Sequence, residues 1–264
     1  MANARQRLDD AMVQRDLTES RARARALVMA GDVLVDGQVV RTAGKPVRPE
    51  QVISLKEKQR FVSRGGEKLD HALNEFGIDP ARMVCADFGA STGGFTDVLL
   101  GRGAERVYAI DVGYGQLHQR IRDNERVVVM ERTNVRLLES LSEPVDLVVI
   151  DVSFISLKLV LPAAAAVLKR GGWCVPLIKP QFEAGRDQIG KGGVVRDPAV
   201  HRSVIRDALL AAQALGFATL NLTQSPLTGP AGNIEFLAAL RFQAGESVAV
   251  DDLIDRMGLG DETI

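Results

Sequence analysis

Residues 84–97 read Val-Cys-Ala-Asp-Phe-Gly-Ala-Ser-Thr-Gly-Gly-Phe-Thr-Asp, and their types narrow the chemistry more than any other stretch. The mostly apolar residues Val84 to Asp87 predict a short buried strand, Gly89, Gly93 and Gly94 a flexible turn, and Phe95 to Leu100 a helix. Strand, glycine turn and helix is the arrangement in which backbone N–H groups approach a nucleotide-like ligand. A second predicted strand, Val107 to Ile110, ends in Asp111, a carboxylate where a ribose diol is usually gripped. Gly89-Ala90-Ser91-Thr92-Gly93 matches the Gly-x-Ser-x-Gly elbow of serine hydrolases, which also need an Asp and a late His; of His71, His118 and His201, the last fits on order. A dinucleotide site expects Gly-x-Gly-x-x-Gly, a spacing that Ala90-Ser91 breaks. An S-adenosylmethionine site needs a glycine-rich turn (Gly89, Ala90, Ser91, Thr92, Gly93, Gly94) and an acid at the second strand, with no pyrophosphate to hold, and it fits best. A turn that only packs a helix on a sheet is the bland alternative.

Four charged residues stand where charge is out of place. Asp151 follows Leu147-Val148-Val149-Ile150, and Lys179 follows Leu177-Ile178. Glu235 lies near the start of the last predicted strand, and Lys68 on the helix leading into the first. Burying a charge is costly unless it is paired or used, so one or two structural ion pairs account for each singly. All four at the rim where doubly wound folds bind ligands point to a site. Asp151-Val152-Ser153-Phe154 lacks the Asn/Asp-Pro-Pro-aromatic stretch usual in enzymes that methylate exocyclic amines. A ribose hydroxyl is a weak nucleophile that must shed or share its proton. A lysine serves as its base only as the free amine, a form that repulsion from a second lysine favours. Methylation at C5 of a pyrimidine usually needs a thiol, but Cys85 and Cys174 fall inside predicted strands and read as reduced core thiols of a cytosolic protein. No metal-ligand cluster is visible, and the methyl donor needs none.

Elements must carry these residues to one place. The strand-like stretches 84–88, 106–110, 127–130 and 145–151 alternate with helical sequence. They are followed by an alanine-rich helix over Leu157 to Lys169, a strand from Trp173 to Ile178, helix 197–214 and strands 217–222 and 234–242. Such alternation predicts a parallel sheet covered on both faces, and two final strands in succession predict an antiparallel hairpin at one edge. The fold class expected is therefore α/β, a Rossmann-like methyltransferase sheet plus a small N-terminal α/β domain. The longest apolar run, Leu159 to Leu168, is too short to span a bilayer, and the N-terminus has no apolar signal region. Cytoplasmic location without membrane attachment is the expectation.

The charge is uneven. Residues 1–60 hold 12 Lys+Arg against 8 Asp+Glu, whereas the remainder holds 21 against 26. A basic appendage on an acidic core predicts domains at 1–60 and 61–264. The appendage reads as a helix over 5–17, a second from Arg21 to Ala30, a hairpin around Asp36-Gly37 and an extended segment from Pro46 to Leu55. It is a plausible platform for a phosphate backbone, although arginine-rich helices are often only solvated faces. Gly185 to Lys191 nearly matches a phosphate-binding loop, but Gly192 stands where the magnesium-binding Ser or Thr belongs; residues 180–197 read instead as a mobile lid or RNA-contacting flap.

Longer blocks carry resemblances. Arg7-Leu8-Asp9, Thr18 to Ala24 and Gly31 to Gly37 resemble the alpha-L RNA-binding domain of a small-subunit ribosomal protein and many pseudouridine synthases, which implies binding to structured RNA. Lys68, Asp151, Lys179 and Glu235 match the Lys-Asp-Lys-Glu tetrad of FtsJ-like ribose 2′-O-methyltransferases. Ser63 to Leu69, Asp87 to Asp97, Asp151 to Ser156 and Ile178 to Glu183 are similar to the TlyA (hemolysin A) family over nearly the whole chain. That resemblance implies S-adenosylmethionine-dependent 2′-O-methylation of cytidine in ribosomal RNA, with ribosomal RNA or subunits as partner and no metal or membrane. It implies Lys68, Asp151, Lys179 and Glu235 as catalytic, and Gly89 to Gly94 with Asp111 and Asp151 as the cofactor site. Arg7, Arg21, Arg23 and Arg64 are the RNA contacts expected. A non-enzymatic RNA-binding scaffold and a membrane-lytic protein are the alternatives, tested by cofactor binding and by liposome leakage.

Overall fold

The computed structural model describes residues 5–56 and 60–259, and the chain divides into two compact units, Met1–Lys58 and Gln59–Ile264. In the first unit, strand β1 (Gln6–Arg7) runs into helix α1 (Leu8–Gln14), followed by helix α2 (Arg21–Ala30). The first helix is shorter than 5–17 because Asp16 takes a positive φ of 55° just past its end. Ser20 caps α2, its side chain accepting the Arg23 N–H at 3.2 Å, and Gly31 ends it at φ +81°. Leu8, Ala11 and Met12 of α1 bury against Ala24 and Val28 of α2, together with Val33 and Val35.

Strands β2 (Val33–Val35) and β3 (Gln38–Val39) form the hairpin, with positive φ at both Asp36 and Gly37, as a tight two-residue turn requires. The segment expected as one extended piece is two strands in different sheets: β4 (Pro46–Val47) pairs with β1, and β5 (Ile53–Leu55) pairs with β2. Between them Gln51 N–H donates to the Arg48 carbonyl, and the Asp36 carboxylate holds Gln51 and the Val52 N–H, so the chain turns.

The second unit opens with helix α3 (Gly65–Phe76), ended by Gly77 at φ +64°. Strand β6 (Val84–Phe88), helix α4 (Gly94–Gly101), strand β7 (Arg106–Ile110), helix α5 (Gln119–Arg122), strand β8 (Val127–Met130) and strand β9 (Val145–Ile150) follow. Then come α6 (Leu161–Val167), β10 (Leu168–Ile178), α7 (Pro180–Glu183), α8 (Pro198–Ala214), β11 (Phe217–Gln224), β12 (Phe236–Phe242) and α9 (Val250–Arg256). The sheet order is β11-β12-β10-β9-β6-β7-β8; β12 alone runs antiparallel to both its neighbours. The predicted edge hairpin is thus β11–β12, with β12 inserted between β11 and β10.

Alternate residues of the central strands enter opposite cores, the period of two expected of a sheet covered on both faces. Leu147 and Val149 join Leu69, Leu73 and Leu99 on one face, whereas Val148 and Ile150 join Leu161, Ile205 and Leu209 on the other. Three expectations shift. The helix over Leu157 to Lys169 is a single 3-10 turn (Leu157–Leu159) followed by α6, because Pro162 lacks an N–H and starts a new helix. Leu168 already belongs to β10, five residues before the expected strand, across a register irregularity. Between β7 and β9, little helix forms beyond α5 and a 3-10 turn at Val135–Leu137, and these loops line a cavity instead.

Candidate active site

Strand β6 delivers the glycine turn to the rim of the sheet. The N–H groups of Gly89 and Ala90 both donate to the Ile110 carbonyl, at 2.9 and 3.1 Å, and tie the turn to the end of β7. Gly89 has φ +88°, and a Cβ there would lie 2.5 Å from the Asp151 carbonyl, so only glycine lets the ends of β6 and β9 meet this closely. Asp111 bridges the strands, its Oδ2 accepting the Ser91 N–H at 2.8 Å and its Oδ1 the Gly113 N–H at 2.7 Å. Gly89, Ser91, Asp111 and Asp151 line a cavity of about 500 Å³. Ala90 and Gly94 line a smaller one of about 140 Å³ that also includes Lys179. Thr92 and Gly93 line neither; the Thr92 carbonyl accepts the His118 N–H, and Gly93 caps α4.

Two features behind the turn were not read from the sequence. Asp87 is fully buried, its Oδ2 accepting from the Thr96 N–H at 2.9 Å and hydroxyl at 2.6 Å while Oδ1 has no partner; burial above all pushes its carboxyl up to about 7. The stretch Arg60 to Ser63 is docked here. Arg60 pairs with Asp70, the Val62 N–H donates to Asp97 Oδ2 at 2.9 Å, and a side chain at Gly94 would run into Ser63 Oγ.

The four charged residues meet because one strand is reversed. Ile178 lies opposite Phe236 in the β10–β12 register, so Lys179, leaving a parallel strand, and Glu235, entering the reversed one, reach the same rim. Lys68 reaches in from α3 and pairs with Glu235, both nearly buried. Lys179 Nζ lies 2.6 Å from Asp151 Oδ1, a charge contact outside hydrogen-bond geometry, and donates to Ser153 Oγ at 2.9 Å. Gln181 donates to the other Glu235 oxygen at 3.3 Å. All four charged residues line a cavity of about 470 Å³ with Arg64 at its wall. This cavity and the larger one share Asp151, Ser153 and Phe154.

Phe154 is the residue that motif reading passed over. It is 90% exposed and holds φ +63°, a conformation that costs a bulky residue about 1–3 kcal/mol. Its ring packs 5.0 Å from that of Phe182. Glu183 brackets the same loop, accepting the Ser156 hydroxyl at 2.6 Å and the Leu157 N–H at 2.7 Å, while burial pushes its carboxyl upward. Only the charge of Asp151 and an aromatic three residues on hinted at this loop.

Other expectations resolve by placement. His201 is buried on α8, its ring nitrogen bonded to the Val195 carbonyl and its ring edge against Phe236, while Ser91 bonds Gln116, so no serine–histidine pair forms. Residues 185–192 form a 3-10 turn and a bridge from Gly190 to Val194, not the strand-to-helix turn of a phosphate-binding loop. The stretch expected as a mobile flap carries α7, that turn and that bridge. Asn233 fastens it, accepting the Val195 N–H and donating to the Gly193 carbonyl. In the first unit, Arg7 and Arg21 are half-exposed and gathered on Asp9, whereas Arg23 is exposed and makes none of those contacts.

A glycine turn joined to an acid on the next strand, with a reversed strand next to the sheet edge, defines the class: a Rossmann-like methyltransferase. Residues 61–242 match the FtsJ-like methyltransferase family and residues 6–53 the S4 domain, and the chain belongs to the FtsJ-like methyltransferase family. It is 45% identical over 255 residues, 95% of each chain, to the 16S/23S rRNA (cytidine-2′-O)-methyltransferase TlyA of Mycobacterium tuberculosis. It is 40% identical to Hemolysin A of Brachyspira hyodysenteriae over 88% of this chain and 98% of that one. A solved structure from Streptococcus thermophilus, a hemolysin by provisional name, shares 41% identity with a TM-score of 0.73 over 97% of this chain and 96% of that one. Among the described residues, no helix is long and apolar enough to cross a membrane.

Proposed function

We propose that this chain transfers a methyl group from S-adenosylmethionine to the ribose 2′-oxygen of a cytidine in ribosomal RNA, with residues 1–60 binding RNA and 61–264 carrying the chemistry. The observation that carries the reading is the pair of lysine–carboxylate contacts, Lys179 with Asp151 and Lys68 with Glu235, in a cavity that shares its walls with the nucleotide-like pocket. The relatives named for rRNA (cytidine-2′-O) methylation support the acceptor.

The pocket residues fit the cofactor. Asp111 lines it with two oxygens that each accept one backbone N–H and keep a further lone pair for a ribose diol. Glycine at 89, 93 and 94 lets the turn pack tightly against the Asp151 carbonyl, Leu117 and Ser63, where no side chain could stand, and so shapes the backbone at the pocket wall. S-adenosylmethionine, when bound, supplies an electrophilic methyl group on a sulfonium. The chain's own residues handle the acceptor. The hydroxyl proton passes to Lys179 Nζ, and Asp151 at 2.6 Å and Ser153 at 2.9 Å receive the resulting ammonium. Lys68, fixed by Glu235, keeps a second positive group on the acceptor cavity. Arg7, Arg21 and Arg23 contact RNA from the first unit, and Arg64 contacts it at the acceptor cavity.

Once the methylated nucleotide is located by comparing ribosomal RNA from cells with and without this protein, an RNA carrying one 2′-deoxy sugar there tests the acceptor atom. Methyl transfer to it would move the acceptor to the base and remove the roles of Lys68, Asp151, Lys179 and Glu235. With the ribose substrate, Lys179→Ala is expected to abolish turnover and leave cofactor affinity within a few-fold, measured by label transfer and calorimetry.

A further inference from the structure

Asp9, the second residue of α1, has no exposed surface, yet three arginines converge on it. Arg7 from β1 takes both oxygens, Nε on Oδ1 at 3.0 Å and Nη2 on Oδ2 at 2.9 Å. Arg21 and Arg25, one turn apart on α2, each place Nε on Oδ2, at 3.2 and 3.0 Å. Asp10 adds a contact to Arg21 at 3.0 Å. These hydrogen bonds, led by that of Arg7, hold the Asp9 carboxyl far below the usual carboxylate range.

A buried carboxylate that needed only a partner would be satisfied by Arg7, which already grips it with a fork. Arg21 and Arg25 are tied through Nε alone. Their Nη groups make no further bond among the described residues, and the two side chains are 47% and 54% exposed. Three guanidiniums this close repel one another, and the shared anion beneath them removes the repulsion while fixing their directions. With Asp9 and Asp10 counted, the cluster of Arg7, Arg21 and Arg25 carries one net positive charge. That charge and those outward forks match one phosphodiester.

We propose that Asp9 is a positioning residue that fixes Arg7, Arg21 and Arg25 as one receptor for a single RNA phosphodiester. This rests on the reading of the chain as an enzyme acting on ribosomal RNA, and it adds Arg25 to the contacts expected from the sequence.

The test turns on a conflict of signs. Asp9→Asn makes the chain more positive, so undirected attraction predicts tighter RNA binding, whereas a positioning role predicts weaker binding. Full-length chains are compared for binding to deproteinised ribosomal RNA over a salt series, with thermal unfolding as the check on folding. Asp9→Asn is expected to bind about tenfold more weakly than the parent. Arg25→Lys keeps the charge but loses the Nε anchor, and it is expected to weaken binding several-fold, which carries the test if Asp9→Asn does not fold. The salt slope of the parent should exceed that of the Arg7→Gln, Arg21→Gln, Arg25→Gln triple variant by about one unit, the share of one phosphate. Folded Asp9→Asn binding as tightly as the parent or tighter, or Arg25→Lys indistinguishable from it, overturns the positioning role and leaves RNA binding intact. A parent chain that binds anionic lipid vesicles and not ribosomal RNA overturns the RNA reading and this inference together.

Discussion

Asp87 of β6 and Asp111 at the end of the neighbouring strand β7 are carboxylates with opposite tasks. Asp111 spends its charge on backbone N–H groups at the pocket wall, so Asp111→Ala should weaken S-adenosylmethionine binding by about 1–3 kcal/mol, and calorimetry showing unchanged affinity would take it out of the site. Asp87 is held where charge is disfavoured: its carboxyl rises from 3.8 to about 7, chiefly through burial. A carboxyl raised on folding binds its proton more tightly in the folded chain. Its contribution is therefore fully present below about pH 4 and is lost as pH climbs through 7, at most ~4 kcal/mol in all. Urea unfolding of the parent and Asp87→Asn across that window checks the sign. The stability gap should move in favour of Asp87→Asn as pH rises, and a gap that is flat with pH would show that Asp87 does not titrate there.

At the scale of elements, the loop after β9 decides what both cavities present. It leaves Asp151 at the strand end, turns through a positive φ at Phe154 and is stopped by Glu183 of α7. Removing the bracket strands the Leu157 N–H, a loss of about 1–3 kcal/mol for an unpaired buried donor. Glu183→Ala should therefore lower thermal stability and raise KM for RNA several-fold, whereas Glu183→Gln, which keeps an acceptor oxygen, should retain most of both. Equal behaviour of the two variants in unfolding and steady-state assays would mean that the loop holds its shape without Glu183. The reversal of β12 is the other decision made by an element, because a β12 parallel to β10 would place Glu235 at the far rim from Lys68.

At the scale of the molecule, the basic and acidic halves of the charge distribution fall on separate units with separate cores. No buried cluster of the first unit includes a residue of the second. A chain beginning at Arg60 should therefore fold and bind S-adenosylmethionine with near-parent affinity while losing much of its affinity for RNA and most of the salt dependence of binding. Circular dichroism, calorimetry and RNA titration check the three parts. RNA binding that survives the truncation intact would place the dominant contacts on the catalytic unit, around Arg64.

The class of fold, the glycine turn and the charged residues Asp151, Lys179 and Glu235 at strand ends were legible in the chain because they depend on near neighbours: periodicity of two or 3.6, turn residues with special φ, and a charge ending an apolar run. Pairing was not. Lys68 meets Glu235 across 167 positions only because α3 and the reversed β12 converge, and Lys179 takes Asp151 because β9 and β10 are neighbours in the sheet. The same distance effects removed His201 from Ser91 and gathered Arg7, Arg21 and Arg25 on Asp9. Local sequence sets what an element is, but the partner of a buried charge and the exposure of a ring such as Phe154 are set by which distant elements the fold brings alongside, and only the tertiary structure decides that.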